Sequence, residues 1–327
     1  MDFYSGQDLL DLCQKEKISI SSAMKQREIT MGSLSAEEIQ AKLETVLAIM
    51  KDSVHKPLKE PVRSIGGLLG GEAKKVADHS SSPNSVCGSM LSKAIAYSMA
   101  VLEVNASMGL IVAAPTAGSS GVLPGVLLAL EEVHALPDNS IYDGLLNASA
   151  IGYILMRNAS VSGAEAGCQA EVGAASAMAA SAVVEIMGGT PEMCLHAASF
   201  ALSNLLGLVC DPIAGLVESP CQSRNAIGVA NAITCAELAL SGVKHPIPFD
   251  EMAEAMHRVG QSLPFELRET AMADAPELQP DVRLDAVFAE NRTRFSEKRQ
   301  LQNDFFHFVT ASSITDALYI LIFFYSF

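Results

Sequence analysis

The stretch Val172-Gly173-Ala174-Ala175-Ser176-Ala177-Met178-Ala179-Ala180-Ser181-Ala182-Val183-Val184 decides the fold class. Side chains this small let helices approach closely, which suits a compact helical bundle better than a sheet. The spacing predicts a helix over 172–187, ended by Gly188-Gly189. Thr190-Pro191-Glu192 then opens the next helix with a cap residue and a proline at the first position, and Cys210 is expected to close it. Outward from this centre the pattern stays helical. Leu91, Ile95, Met99 and Leu102 form a stripe within about 88–107, and Ile39, Leu43, Val46, Leu47 and Met50 form another. The second follows a capping box, Ser35-Ala36-Glu37-Glu38, with Leu34 and Ile39 placed as a hydrophobic staple, and is expected to end near Pro57. A helix opened by Ser140-Ile141-Tyr142-Asp143 is predicted to reach Met156, and another to run to about Leu240 with Gly242 at its end. Strands nowhere alternate with helices, so the expected fold is all-α, a helical domain with cysteine-bearing loops. Lys93, Glu103, Glu185, Arg224 and Glu237 interrupt the apolar runs before they reach the roughly 20 residues of a membrane span, so these are core helices of a soluble protein.

Composition narrows the function. In 327 residues, 49% are apolar, ample for a buried core. A net charge of -15 argues against nucleic acid or an anionic membrane surface as partner, because both require a positive field. An anionic small molecule would have to be held locally. The Met-Asp-Phe-Tyr start lacks a basic and apolar leader, and seven cysteines are an odd number, which together point to a reducing cytoplasm with thiols free or metal-bound.

Three thiols stand apart from the rest. Cys168, Cys210 and Cys221 lie beside Gly167, Pro212 and Pro220, where the helical pattern breaks, whereas Cys194 and Cys235 sit within apolar stripes as small buried hydrophobes do. Their spacings of 42 and 11 residues match no compact zinc or ferredoxin pattern, so buried structural cysteines remain the competing reading. Other segments carry weaker signals. Gly66-Gly67-Leu68-Leu69-Gly70-Gly71-Glu72 could let backbone approach a ligand closely but lacks the Gly-Lys-Ser/Thr of a P-loop. Pro115-Thr116-Ala117-Gly118-Ser119-Ser120-Gly121 presents small residues and hydroxyls just before a helix, whose positive end can receive a carboxylate, although an ordinary cap would look the same. Lys93 or Lys74 could form a Schiff base with pyridoxal phosphate, but a surface lysine is the simpler reading. His196, among Ala197, Ala198 and Phe200, reads as a core histidine.

With these residues in hand, the chain resembles the α chain of the iron–sulfur-dependent L-serine dehydratases over about 5–271. The resemblance rests on ordered strings: Glu103 to Gly109, Ala114 to Ser119, Ser162 to Glu165, Gly167 to Gly173, Cys210-Asp211-Pro212, Pro220-Cys221 and Arg224-Asn225-Ala226. It implies that Cys168, Cys210 and Cys221 ligate a 4Fe-4S cluster. It also implies that Thr116, Ala117, Gly118, Ser119 and Ser120 hold the substrate, L-serine, with Arg224 as electrostatic support near the cluster. A cluster held by three thiolates leaves one iron free to polarise the hydroxyl that must leave. Pyruvate and ammonia follow. The general base is not identified by any matching motif. The family's regulatory β part has no counterpart here, which implies a separate β chain in a hetero-oligomer. Two departures stand out: Ser120 replaces the usual cysteine, and after Glu269-Thr270-Ala271 the resemblance ends, leaving 272–327 as a divergent tail that closes on apolar Ala317 to Phe327. A pyridoxal-phosphate lyase and a non-catalytic helical subunit are the alternatives.

Overall fold

Helix boundaries in this chain follow from local capping and are then adjusted by burial. The computed structural model describes residues 2–270, and among them there are helices and two isolated bridges, Arg63–Gly70 and Cys210–Arg268, but no strand. The α-helices are α1 (Gly6–Glu16), α2 (Ile20–Thr30), α3 (Ala36–Lys59), α4 (Glu72–Ser80), α5 (Gly88–Ala106) and α6 (Val122–His134). They continue with α7 (Asp138–Asn158), α8 (Gly163–Ala166), α9 (Cys168–Ile186), α10 (Pro191–Asn204), α11 (Cys221–Leu240) and α12 (Phe249–Ser262). The expected all-α architecture is therefore what forms. No helix among the described residues is long and apolar enough to cross a membrane. The tail from 272 onward, with its apolar end, lies outside the described residues.

The predicted caps are in place. Ser35 accepts from the N–H of Glu38 (3.1 Å) while the Glu38 carboxylate accepts from the N–H of Ser35 (2.7 Å), and Thr190 accepts from the N–H of Met193 (3.3 Å). Four boundaries differ from the sequence expectation. Helix α3 continues through Pro57 to Lys59, because Pro57 is buried and the hydrogen bond it removes lies in the last turn. Helix α7 starts at Asp138, two residues before Ser140, with Pro137 at the cap and the Asp138 carboxylate 2.8 Å from Lys51. Helix α9 begins at Cys168 rather than Val172, and α10 ends at Asn204 rather than at Cys210.

Helix α9 is the axis of the molecule. Every residue from Cys168 to Val184 is buried, enclosed by α6, α7, α10 and α11. Small side chains make this possible. A Cβ on Gly228 of α11 would lie 2.7 Å from Val122 and 2.9 Å from Val172, so α11 meets both α6 and α9 at that glycine. The hydroxyls that come with this packing are satisfied: Ser176 donates to the carbonyl of Gly228 (3.0 Å) and Ser181 to Asn147 (2.7 Å). At the far end of α9, Glu185 accepts from Asn147 (2.7 Å) and from the N–H groups of Ile20 (3.1 Å) and Ser21 (3.2 Å), fastening the N-terminus of α2. Helix α5 forms a second centre against α3, α4, α6 and α11.

The α5–α6 contact leaves no room for a side chain at Gly121, where an added Cβ would sit 2.2 Å from the backbone carbonyl oxygen of Ser98. Backbone cannot swing aside as a side-chain tip can. Gly121→Ala is expected to cost about 1–3 kcal/mol, seen as a lowered midpoint in thermal unfolding; an unchanged midpoint would contradict this packing.

Candidate metal centre

Three chain breaks bring the thiols to one end of α9. Gly167, at φ 75°, turns the chain between α8 and α9, so that Cys168 becomes the first residue of the buried helix. The N–H of Gln169 donates to the carbonyl of Leu208 (2.9 Å), which lays the 208–210 segment across the same helix start. Cys210 is then held on both sides of its peptide. Its N–H donates to Leu267 (2.9 Å), and its carbonyl accepts from the N–H of Glu269 (2.6 Å). Cys221 opens α11, and Asn225 one turn later donates to its carbonyl (2.9 Å).

Cys168, Cys210 and Cys221 are 2%, 1% and 6% exposed, none in a disulfide. The Sγ atoms of Cys168 and Cys210 and a carboxylate oxygen of Glu171 all lie within 4.8 Å of one another, a group able to hold a metal ion. Cys221 is not in that group but lies within its electrostatic reach: burial pushes its thiol well above the ordinary range, and the charges of Cys168, Glu171 and Glu269 push it further. Cys168 moves the opposite way, to about 7, through a hydrogen bond from the Cys210 thiol and the nearby Arg224 guanidinium. Arg224 Nη1 is 3.0 Å from the Cys168 sulfur and also donates to the carbonyl of Val209 (2.5 Å). By contrast Cys194 and Cys235 are buried within α10 and α11.

Two carboxyl groups share the centre. Glu171 is raised well above the usual carboxylate range by burial, then by the charges of Glu269 and Cys168. Glu269 is raised by burial. Both converge on Gly163, where an added Cβ would meet Glu171 at 2.8 Å and Glu269 at 3.2 Å. The motif reading missed both in this role, together with Asn225. Glu171 and Asn225 were signalled only by their positions in the ordered strings, and Glu269 only by standing where the resemblance ends.

The small-residue loop reaches the centre through Glu171. Thr116 donates to Glu171 Oε1 (2.8 Å) and lies 3.0 Å from the Ser119 hydroxyl. Gly118 has its backbone against the same carboxyl, since a Cβ there would fall 3.3 Å from Glu171 Oε2. Ser119 and Ser120 are fully buried, and the Ser120 hydroxyl turns back to the carbonyl of Ala117 (2.7 Å), bracing the loop. Asn225 ties loop to thiol helix: it donates to Gly118 (2.7 Å) and accepts from the N–H of Gly121 (3.0 Å). The lysines lie elsewhere. Lys93 pairs with Glu132 and Lys74 with Asp78 (3.1 Å), both partly exposed. His196 sits on α10, 3.7 Å from Glu192, outside the metal-capable group.

Free, buried thiols beside an arginine belong to the soft donor set taken by iron–sulfur clusters and by zinc, so Cys168 and Cys210 fit such a group. The fold and this site define a helical protein in which a cysteine–glutamate group able to hold a metal ion is joined to a small-residue loop. The chain belongs to the family described as serine dehydratase alpha chain, whose model matches residues 15–273. It is 46% identical over 268 residues to the L-serine dehydratase, alpha chain, of Peptoniphilus asaccharolyticus, covering 82% of this chain and 92% of that one. It is 44% identical to a probable L-serine dehydratase, alpha chain, of Bacillus subtilis, covering 82% and 89%. The L-serine dehydratase TdcG of Escherichia coli is 34% identical over 282 residues, with 60% of its length covered.

In the metal-free chain, thiolate absorbance should show one group titrating near pH 7. Cys168→Ser should abolish this step and Arg224→Met should move it to higher pH. Absence of any step below the ordinary thiol range would contradict the assigned electrostatics.

Proposed function

We propose that the chain is the catalytic subunit of an L-serine ammonia-lyase that converts L-serine to pyruvate and ammonia. In this reading a 4Fe-4S cluster is held by Cys168, Cys210 and Cys221, and a separate β chain completes a hetero-oligomer. One observation carries it: Cys168 and Cys210, both free and buried, form with Glu171 a group able to hold a metal ion, and Glu171 joins that group to the Thr116–Ser120 loop, with Cys221 within electrostatic reach. The alpha-chain names of the first relatives support the subunit division. Seven free cysteines among the described residues suit a reducing compartment such as the cytoplasm.

Dehydration of serine removes a weakly acidic α-proton and expels hydroxide, a poor leaving group. When bound, the cluster supplies a Lewis-acidic iron that polarises the departing oxygen. The rest falls to the chain. The loop at the start of α6 offers hydroxyls of Thr116 and Ser119 and the backbone of Ala117 and Gly118 to the substrate carboxylate, at the positive end of a helix. Asn225 fixes that loop against the thiol helix, and Arg224 favours the thiolate of Cys168. Burial, then the charges of Glu269 and Cys168, favours the neutral carboxyl of Glu171. Beside Thr116 and Gly118, the protonated carboxyl is placed to give its proton to the leaving hydroxyl.

The test is anaerobic reconstitution with iron and sulfide, followed by assay on L-serine with and without the β chain. Cys168→Ala, Cys210→Ala and Cys221→Ala should each lose iron, while Cys13→Ala and Cys194→Ala keep it. Glu171→Gln should keep iron and lose turnover by about 10²–10⁴-fold. A lysine-aldimine absorbance band in place of iron would replace this reading with a pyridoxal-phosphate lyase.

A further inference from the structure

The glycine-rich segment 66–71 is not explained by the reaction above, although it has the close backbone approach expected of an anion cradle. Its occupant is a side chain of the protein itself. Glu218, 3% exposed, lies three residues before Cys221 in the loop that links the second and third thiols. Its carboxylate accepts from the hydroxyl of Ser64 (2.6 Å) and from the N–H groups of Gly66 (2.6 Å) and Leu68 (3.1 Å). The cradle is closed upon it. Ser64 and Leu69 pair through N–H to carbonyl (3.0 Å), and the Leu69 N–H also donates to the Ser64 hydroxyl (3.0 Å). A side chain at position 66 would push the clasp aside, since a Cβ there would fall 2.4 Å from the Leu216 side chain and 2.6 Å from the Glu218 carboxylate.

A second buried carboxyl ties the other side of Cys221. Glu103 on α5, fully buried, accepts from the N–H of Ala73 (2.9 Å) and from the side chain of Gln222 (3.2 Å). Gln222 also donates its N–H to the carbonyl of Glu218 (3.0 Å). The residues flanking Cys221 are therefore both held by segment 64–73 and α5, neither of which contributes a thiol.

We infer that Glu218, gripped by the Ser64–Leu69 loop, is a positioning residue that fixes Cys221 for the metal centre. The inference rests on the thiol centre proposed above. Three donors converge on this carboxylate, and a glutamine in its place would keep one acceptor oxygen while turning an NH₂ group toward an N–H or O–H donor. The clasp would open, and Cys221 would lose its fixed place. Residues that orient metal ligands in this way typically change metal retention by about 10–100-fold.

The experiment uses the full chain, reconstituted anaerobically, and follows iron release to a chelator together with the visible absorbance of the cluster; circular dichroism reports the helices. Glu218→Gln and Gly66→Ala should release iron at least about tenfold faster than the parent, with helical content retained. Ser64→Ala, which removes one donor and leaves the carboxylate, should fall between, and it carries the test should the other two fail to fold. Glu192→Gln, on the exposed face of α10, should release iron at the parental rate. Parental iron release and absorbance in Ser64→Ala and Glu218→Gln would overturn the inference while leaving the thiol centre standing. A parent chain that takes up no iron would overturn both.

Discussion

Two buried sulfurs and a buried carboxyl group crowded together, with a third thiol and a second carboxyl within electrostatic reach, form an arrangement that repels itself once ionised. In a low-dielectric interior like charges cannot all be carried, and the groups respond as that rule requires. Burial and neighbouring charge raise Cys221, Glu171 and Glu269, whereas Cys168, beside Arg224, becomes the easily ionised member. Without a cationic occupant this cluster would be a standing cost to the fold. A metal centre turns the same repulsion into ligation.

The architecture exists to impose that crowding. Helix α9 is buried along nearly its whole length, so its first residue, Cys168, enters the centre from inside the molecule. Cys210 arrives by backbone pairing with the 267–269 segment, which also delivers Glu269. Cys221 arrives at the head of α11, locked to the 116–120 loop through Asn225 and to the glycine-rich loop through Glu218. Each ligand candidate is thus held by a different tertiary contact. The 116–120 loop and the thiols are not independent parts, since Glu171 and Asn225 touch both.

Much of this was legible in the sequence, for physical reasons that can be named. The Ala/Ser/Gly composition of 172–187 announced close helix packing, and glycines and prolines beside Cys168, Cys210 and Cys221 announced that these thiols leave the helical stripes. Helix limits were less legible where tertiary burial overrode local rules, as at Pro57, which stays in its helix, and at Ser140, which lies inside the first turn rather than capping it. Least legible were the carboxylates. Nothing local separates buried Glu171 and Glu218, or half-buried Glu269, from the many solvated acids of a chain with net charge -15. Their partners lie far along the chain, and the glycine-rich loop revealed that backbone would approach something without revealing that the something was Glu218.

Native mass spectrometry of the anaerobically purified chain tests the central claim most directly, because it weighs what the thiols hold. Convergence of Cys168, Cys210 and Cys221 on a shared cluster predicts a folded species heavier than the polypeptide by one 4Fe-4S unit, reverting to the bare mass when any of the three is replaced. A folded chain at its bare mass, or one carrying a single metal ion that survives loss of Cys221, would contradict it.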